Sequence, residues 1–193
     1  MTVRRLLLVR HAPTTATRAA AFPRDESLDD RGRALAATLA ARIPARTDVV
    51  SSPARRCVET AVTAGLDAEI DREIGPCDFG TWAGRTLAEV HDDDPDAASA
   101  WMLDPDANPH GGESLAVFSD RVARWLDRQG EEEGRLTAIT HGEVVKAAVV
   151  HAIGAPVQAF WRINASPLAI TELHAHDGRW TISRVNCLQP GEA

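Results

Sequence analysis

Residues 6–14 read LLLVRHAPT, and this segment decides how the rest of the chain is interpreted. The apolar run 6–9 has the length and composition of a strand that is buried in a parallel sheet. Arg10 and His11 follow it directly, and open α/β sheets bind ligands at the edge where their strands end. The segment therefore predicts a cation and an imidazole at a ligand-binding edge, although an Arg-His pair alone is equally compatible with an ordinary surface.

Two further apolar runs end in residues of the same kind. The run Asp48–Ser51 leads through a short turn to Arg56, and the run 136–140 ends next to His141. Ligand sites of α/β sheets collect side chains from several strand ends. The pattern therefore predicts that these residues converge with the first pair, while unrelated surface charges in the three loops are the alternative.

Helical patterns alternate with these runs and set the fold class. The predicted helices cover 29–43, then a segment starting at Pro53, then 114–130 with Ser114 as the N-cap, and finally 144–154 with Gly154 as the stop. Residues 168–174 and 179–185 flank Asp177-Gly178, which predicts an antiparallel hairpin at the edge of the sheet. Together these elements predict an α/β three-layer sandwich, with a mainly parallel central sheet flanked by helices.

The stretch 73–112 interrupts this alternation. It is rich in Gly, Pro and Asp, and short helices are expected only around 87–91 and 97–103. Long irregular segments of this kind commonly form lids or binding loops. We interpret it as a lid or side insertion of a single domain that covers residues 1–193.

Composition and charge exclude several function classes. The chain has 193 residues, 44% of them hydrophobic and 25% charged, as in a folded globular domain. Its formal net charge of −7 argues against general affinity for nucleic acids or anionic membranes. The first apolar run is shorter than the ~7–15 residues of a signal-peptide core, and the three separated cysteines match no disulfide framework or zinc motif. We therefore expect a cytoplasmic protein, monomeric or homodimeric, without nucleic-acid or membrane partners.

The sequence resembles the histidine phosphatase superfamily, also called the phosphoglycerate-mutase-like family. The resemblance is carried in order by the segments 10–14, 51–61, 111–114 and 140–142, and it spans nearly the whole chain. The segment 77–82, CDFGTW, is similar to the α-ribazole phosphatase-like and broad-specificity branch. The resemblance implies a phosphoglycerate-mutase-like fold.

The resemblance also implies catalytic roles. His11 would be the nucleophile that accepts the phosphoryl group, while Arg10, Arg56 and His141 would bind its oxygens. A neutral imidazole nitrogen is a competent nucleophile near neutral pH, and its attack gives a phosphohistidine. Guanidinium groups and an imidazolium can stabilise the charge of phosphoryl transfer, so no metal or other cofactor is expected.

Five further residues are candidate substrate contacts. By the resemblance, Thr17 occupies a position where relatives often carry a small polar phosphate ligand, and Thr14, nearer the turn, is a second candidate, although loop threonines commonly cap turns. Glu113 can accept hydrogen bonds from pocket arginines or support His141, although a carboxylate before a helix also suits the helix dipole. Gly142 follows His141 in its motif, and Trp82 is the preferred aromatic wall, although tryptophans more often bury apolar area.

One position departs from the family pattern. Relatives that hydrolyse alkyl phosphates usually carry a Glu three residues before the Phe-Gly pair, where this chain has Pro76. Proline cannot donate a proton, so the acid for the leaving group is missing from its usual place. Asp78 is the preferred replacement and Glu73 a weaker one; that Asp78 caps a turn, or that no residue replaces the acid, are the alternatives.

A pair of histidines and a histidine beside an acidic run could each suggest a metal site, but each has a simpler interpretation. His174 and His176 share one face of a strand without a suitable third ligand nearby. His91 precedes the acidic run 92–94, which is typical of a solvated loop. We therefore expect no metal site.

The pattern as a whole predicts an enzyme, a metal-independent phosphatase that hydrolyses phosphomonoesters of small metabolites. The missing acid also favours a protein phosphohistidine phosphatase, because phosphoramidates depend less on protonation of the leaving group. The third hypothesis is a catalytically weak protein that binds phosphorylated ligands. The compact chain argues against a mutase.

Overall fold

One sheet organises residues 3–188, the part of the chain that the computed structural model describes. Its strands are β1 (Val3–Arg10), β2 (Asp48–Ser51), β3 (Glu69–Ile70), β4 (Gly134–Thr140), β5 (Ile170–His176) and β6 (Arg179–Cys187). Their order is β3-β2-β4-β1-β5-β6. The first four strands in this order pair in parallel, whereas β5 pairs antiparallel with both β1 and β6. The predicted α/β architecture with a mainly parallel sheet is confirmed.

Helices connect the strands. The α-helices are α1 (Thr15–Ala19), α2 (Asp30–Ala36), α3 (Arg55–Thr63), α4 (Leu87–Asp93), α5 (Pro95–Leu103), α6 (Leu115–Glu131) and α7 (Gly142–Ala152). Short 3₁₀ helices cover Leu39–Arg42, Arg72–Ile74, Gly80–Trp82 and Val157–Arg162. None of the helices within the described range is long and apolar enough to span a membrane.

The central strand β1 is buried on both faces, which explains its uninterrupted apolar run. Leu6 and Leu8 pack into the core that contains Phe118 of α6. Leu7 and Val9 point to the opposite face and join a second core with residues of α2 and α3. The sheet therefore forms the middle of three layers.

The register places three strand ends side by side. Arg10 of β1 is level with Thr140 of β4, and Ser51 of β2 is level with Ile139. The chain leaves β1 with His11, whose backbone N–H donates to the carbonyl of Thr140 at 2.8 Å. The sheet therefore brings the predicted motifs to one edge.

Two predicted helix boundaries are wrong. The helix predicted over 29–43 ends at Ala36, because the backbone N–H and the hydroxyl of Thr38 both donate to the carbonyl of Leu35 and tighten the turn. The helix predicted to start at Pro53 begins at Arg55. The hydroxyl of Ser52 accepts the N–H of Ala54 at 3.2 Å before that helix begins.

Other predicted boundaries are confirmed. Ser114 caps α6 by accepting the N–H of Val117 at 3.2 Å. Gly154 follows α7 with a φ of 62°, the left-handed conformation that ends helices. The hairpin of β5 and β6 turns at Asp177-Gly178, where both residues have positive φ, as a two-residue turn requires.

The segment 73–112 contains the two short helices that were predicted there, α4 and α5. A small apolar cluster of Phe22, Trp82, Val90 and Ala98 ties it to the loop after α1. At Gly80 the φ is +47° and an added Cβ would lie 2.0 Å from the carbonyl oxygen of His110, so the two ends of the segment meet there. Whether the segment acts as a lid stays a prediction.

Candidate active site

His11 lies buried at the end of β1, and its hydrogen bonds define its tautomer. Its Nδ1 is 2.7 Å from the carbonyl oxygen of Ala12, which can only accept, so Nδ1 carries the proton. Its Nε2 accepts the Nε–H of Arg56 at 3.2 Å. Burial, and then the charges of Arg56 and Arg10, lower the pKa of His11 from 6.5 to about 3. His11 is therefore a neutral imidazole with its Nε2 lone pair facing a guanidinium group.

Arg56, in the first turn of α3, joins the loops around His11. It is 1% exposed. Besides His11, its Nη1 donates to the carbonyl of Arg24 at 2.7 Å and its Nη2 donates to Nδ1 of His141 at 3.1 Å. A carboxylate oxygen of Glu26 lies 3.9 Å from Nη1. The guanidinium is held by fixed partners, so its orientation is set before a ligand arrives.

His141 is also buried and neutral. Because Nδ1 accepts from Arg56, Nε2 carries the proton and donates to the hydroxyl of Ser52 at 2.7 Å. Burial first, and then the charges of Arg56 and other nearby groups, lower the pKa of His141 well below its usual value. His141 is therefore a neutral imidazole, and its ring lies against the ring of His11 at a centroid distance of 5.4 Å.

Cys57 packs directly against this histidine. Its Sγ lies 3.5 Å from Nε2 of His141. The side chain is fully buried, and burial raises the pKa of the thiol to about 12. Cys57 is therefore a protonated, apolar support of the site.

Arg10 completes the cationic group. Its Nη1 donates to the carbonyl of Ala165 at 2.6 Å, whereas its Nε is buried without a partner among the described residues. Gly142 packs against it, because an added Cβ there would lie 3.2 Å from the Nε of Arg10. The Nε–H is therefore an unsatisfied buried donor of a side chain that lines the cavities.

Two adjoining cavities open from these residues. The larger, of about 470 Å³, is lined by Arg10, His11 and Arg56 together with apolar and aromatic residues. The smaller, of about 210 Å³, contains Gly142 in its lining. The linings share Arg10, Phe79, Trp101, Glu143, Lys146 and Trp161.

Of the predicted contacts Thr17, Thr14 and Trp82, only Thr17 lies in the lining of the larger cavity. The hydroxyl of Thr14 accepts the N–H of Thr17 at 3.2 Å and donates to Glu26 at 3.1 Å, so it caps α1. Trp82 packs behind Phe22, and Trp101 and Trp161 are the tryptophans along the cavity. Substrate contact by Thr14 or Trp82 has no geometric support here.

The predicted carboxylates are engaged elsewhere. Asp78 is exposed and its Oδ1 accepts the N–H of Gly80 at 2.9 Å, which is the turn-capping alternative. Glu113 pairs with Arg121 at 2.8 Å and accepts the N–H of Asp78, so it binds neither the pocket arginines nor His141. Glu73 pairs with Arg128 on the half-exposed face of α6. Asp78 nevertheless borders a cavity of about 480 Å³ that also reaches Arg56.

Three charged residues of the larger cavity were missed in the sequence. Glu26, Glu143 and Lys146 all line it. The available signal was spacing, since Glu143 lies two residues after His141 and Lys146 lies one helical turn further. Within residues 3–188, no three His, Cys, Asp or Glu side chains are grouped to hold a metal ion.

The lowered pKa of His11 gives a direct prediction. In the ¹⁵N-labelled protein we expect the His11 ring resonances, assigned by comparison with His11→Ala, to stay unchanged between pH 8 and pH 5. The pKa of a histidine in an unfolded chain is ~6.5, whereas that of His11 in the folded protein is about 3. Between these pH values only the unfolded chain binds a proton at His11, so the folded state loses stability as the pH falls from ~6.5 towards about 3. A His11 midpoint near 6.5 in the folded protein would contradict the assigned environment.

Comparison with known proteins identifies similar sequences and structures. The family model of the histidine phosphatase superfamily (branch 1) matches residues 6–188. A bifunctional protein of Mycobacterium tuberculosis is 33% identical over 94% of the chain, and the chain spans about half (53%) of its length. The glucosyl-3-phosphoglycerate phosphatase of the same organism is 30% identical, over 81% of this chain and 78% of that protein. The α-ribazole phosphatase of Shigella flexneri has the same fold, with a TM-score of 0.84 and 24% identity over 98% of this chain and 99% of that one.

Proposed function

The chain belongs to the histidine phosphatase superfamily, branch 1, and on that premise we propose that it is a phosphoric monoester hydrolase that transfers a phosphoryl group to His11 and then to water. The observation that carries the proposal is the Nε2 lone pair of a neutral His11 beside Arg10 and Arg56, at the cationic end of a cavity. The phosphatase names of relatives support the reaction class.

The first step follows from the hydrogen bonds that Arg56 makes to His11 and His141. A phosphate dianion is a stronger acceptor than an imidazole, because charge-assisted hydrogen bonds to guanidinium are short and strong. Arg56 can therefore exchange its bond to His11 for one to a phosphate oxygen, and the Nε2 lone pair becomes free. The Nε2–P bond then forms while the P–O bond to the leaving group breaks. The leaving oxygen keeps the electron pair and takes up a proton from Asp78, if that carboxyl is the acid, or otherwise from solvent water.

His141 changes its charge during binding in this scheme. The cations around it lower its pKa in the free protein, and a bound dianion offsets their charge. The pKa of His141 therefore rises when phosphate binds, and the proton gained on Nδ1 turns this atom from an acceptor into a donor to phosphate. Arg10, Arg56 and His141 then supply the positive charge that phosphoryl transfer requires.

The cavity supports a small phosphomonoester as the substrate. Its volume of about 470 Å³ is typical of small-molecule sites, and its aromatic side suits an organic leaving group. A protein phosphohistidine substrate is the second candidate, because Pro76 leaves the usual position of the acid without a proton donor. We expect the protein to act in the cytoplasm, as a monomer or homodimer, without a nucleic-acid or membrane partner.

One experiment tests the function and the role of Asp78 together. We expect the protein to hydrolyse 4-nitrophenyl phosphate in the presence of EDTA, and Asp78→Asn to reduce hydrolysis of an alkyl phosphate at least ~10-fold more than that of the aryl ester. The reason is that only the alkoxide requires strong protonation, which a positioned acid accelerates by ~10²–10⁴-fold. Initial rates with alkyl phosphate, aryl phosphate and a phosphohistidine peptide provide the measurement.

Asp106→Asn, an exposed aspartate in the same segment, is the matched control. Equal small effects of Asp78→Asn on both esters would remove Asp78 from the mechanism. Absence of activity on all three substrates would favour a binding role.

A further inference from the structure

Glu143, a carboxylate that the motifs did not predict, lies in the cavity beside the phosphate-binding groups. It belongs to the first turn of α7 and lines both the larger and the smaller cavity. Its Oε1 is buried and has no hydrogen-bond partner among the described residues. Burial of such an oxygen without a partner is costly. The residue as a whole is only partly buried and lines both cavities, so the accessible part of its carboxylate can meet a proton donor that enters.

The carboxylate of Glu143 interacts with the charge of Arg10. Arg10 lines the same two cavities, and Glu143 is the group that most strongly opposes the lowering of the Arg10 pKa by burial. The Nε of Arg10 is also buried without a partner, so two oppositely charged side chains line one space and each has an unsatisfied polar atom. A phosphate oxygen can accept from the guanidinium but repels the carboxylate. Glu143 therefore requires a group with a proton to give, such as water.

The other nearby carboxylates are less free. Glu26 accepts the hydroxyl of Thr14 at 3.1 Å, and its second oxygen, which makes no hydrogen bond, is 3.9 Å from Arg56. Asp78 and Glu113 are held by the contacts described above. Pro76 leaves the 76–80 loop without the carboxylate that relatives use. Of the carboxylates of Glu26, Asp78, Glu113 and Glu143, only that of Glu143 makes neither a hydrogen bond nor a short ion pair with the described residues.

We propose that Glu143 is a catalytic residue of the second half-reaction and accepts a proton from the water that hydrolyses the phosphohistidine. This inference rests on the proposed intermediate on His11. The water oxygen forms a bond to phosphorus, the P–Nε2 bond breaks with its electron pair returning to His11, and one water proton moves to Glu143. Glu143 then releases that proton to solvent, inorganic phosphate departs, and the free site is restored.

The test separates the two half-reactions. In Glu143→Gln we expect formation of the phosphohistidine from 4-nitrophenyl phosphate, followed as the first turnover of nitrophenolate, to change less than ~3-fold. Its breakdown should slow by ~10²-fold or more, because a positioned base contributes ~10²–10⁴-fold. Rapid mixing with ³²P-labelled substrate and an alkaline quench, which preserves phosphohistidine, measures the labelled protein. The label should accumulate in Glu143→Gln and be absent from the double variant with His11→Ala.

Glu26→Gln is the charge-matched control, because it removes one negative charge from the same cavity. We expect no selective accumulation of label in this variant. Breakdown of the intermediate at the wild-type rate in Glu143→Gln, or equal slowing of both steps, would overturn the role of Glu143 while leaving the phosphatase intact. The same slowing in both glutamine variants would overturn it as a general charge effect. Absence of label in every variant with turnover retained would overturn the intermediate and this inference together.

Discussion

Replacing His11 with alanine should abolish hydrolysis of 4-nitrophenyl phosphate, with a loss of roughly 10⁴-fold or more, because the substitution removes the nitrogen proposed to accept the phosphoryl group. The hydrogen bonds of the His11 ring support its role as the nucleophile. The Nδ1 proton of His11 is committed to the carbonyl of Ala12, and its Nε2 is held toward Arg56. No labelled protein should form in the variant, and steady-state rates in EDTA together with ³²P labelling measure both outcomes.

His176→Ala is the control for this prediction, since His176 is exposed at the end of β5. It should retain wild-type rates. His11 is itself buried, so the thermal midpoint of His11→Ala must be measured to show that the variant is folded at the assay temperature. Undiminished labelling of a folded His11→Ala protein would refute the assignment of the nucleophile.

Replacing Arg56 with lysine should lower kcat/KM by ~10²–10³-fold, although the positive charge is kept. A single ammonium cannot reproduce three guanidinium contacts that point to His11, His141 and the carbonyl of Arg24. Losing one preorganised donor to a developing negative charge typically costs ~10²–10³-fold in rate. Initial rates with the aryl ester and the affinity for inorganic phosphate measure the effect.

The adjacent arginine offers a matched control. Arg55 lies in the same turn of α3, but its side chain is 63% exposed and pairs only with Glu59 among the side-chain contacts described. Arg55→Lys should therefore leave the rate within about 2-fold of wild type, as is common for exposed pairs. Similar losses in both variants would show that charge, and not the geometry of Arg56, determines activity.

The edge of the sheet could be predicted from the sequence because it depends on local patterns. The short apolar runs identify β1, β2 and β4, and each run leads to a residue of the site: Arg10, Arg56 or His141. Parallel pairing then brings these ends together. This part of the site follows from chain order and strand length, which are visible without coordinates.

The charge state and the cavity lining depend on packing, which is why they could not be predicted. An imidazolium was expected to stabilise phosphoryl transfer, but the sequence did not indicate that burial and the shared Arg56 keep His141 neutral before phosphate binds. Trp101 and Glu143 reach the cavity because of the orientation of α5 and α7. A linear pattern gives the face of a helix but not the neighbour that this face meets.

The protonated thiol of Cys57 has a consequence for the behaviour of this protein under oxidative stress. Phosphatases that use a cysteine thiolate as the nucleophile lose activity when peroxide oxidises it, because the thiolate is the reactive form. Here the sulfur beside His141 is fully buried and its pKa is about 12, while the proposed nucleophile is an imidazole nitrogen. Dephosphorylation by this chain would therefore continue in a cell whose thiol-dependent phosphatases have been silenced.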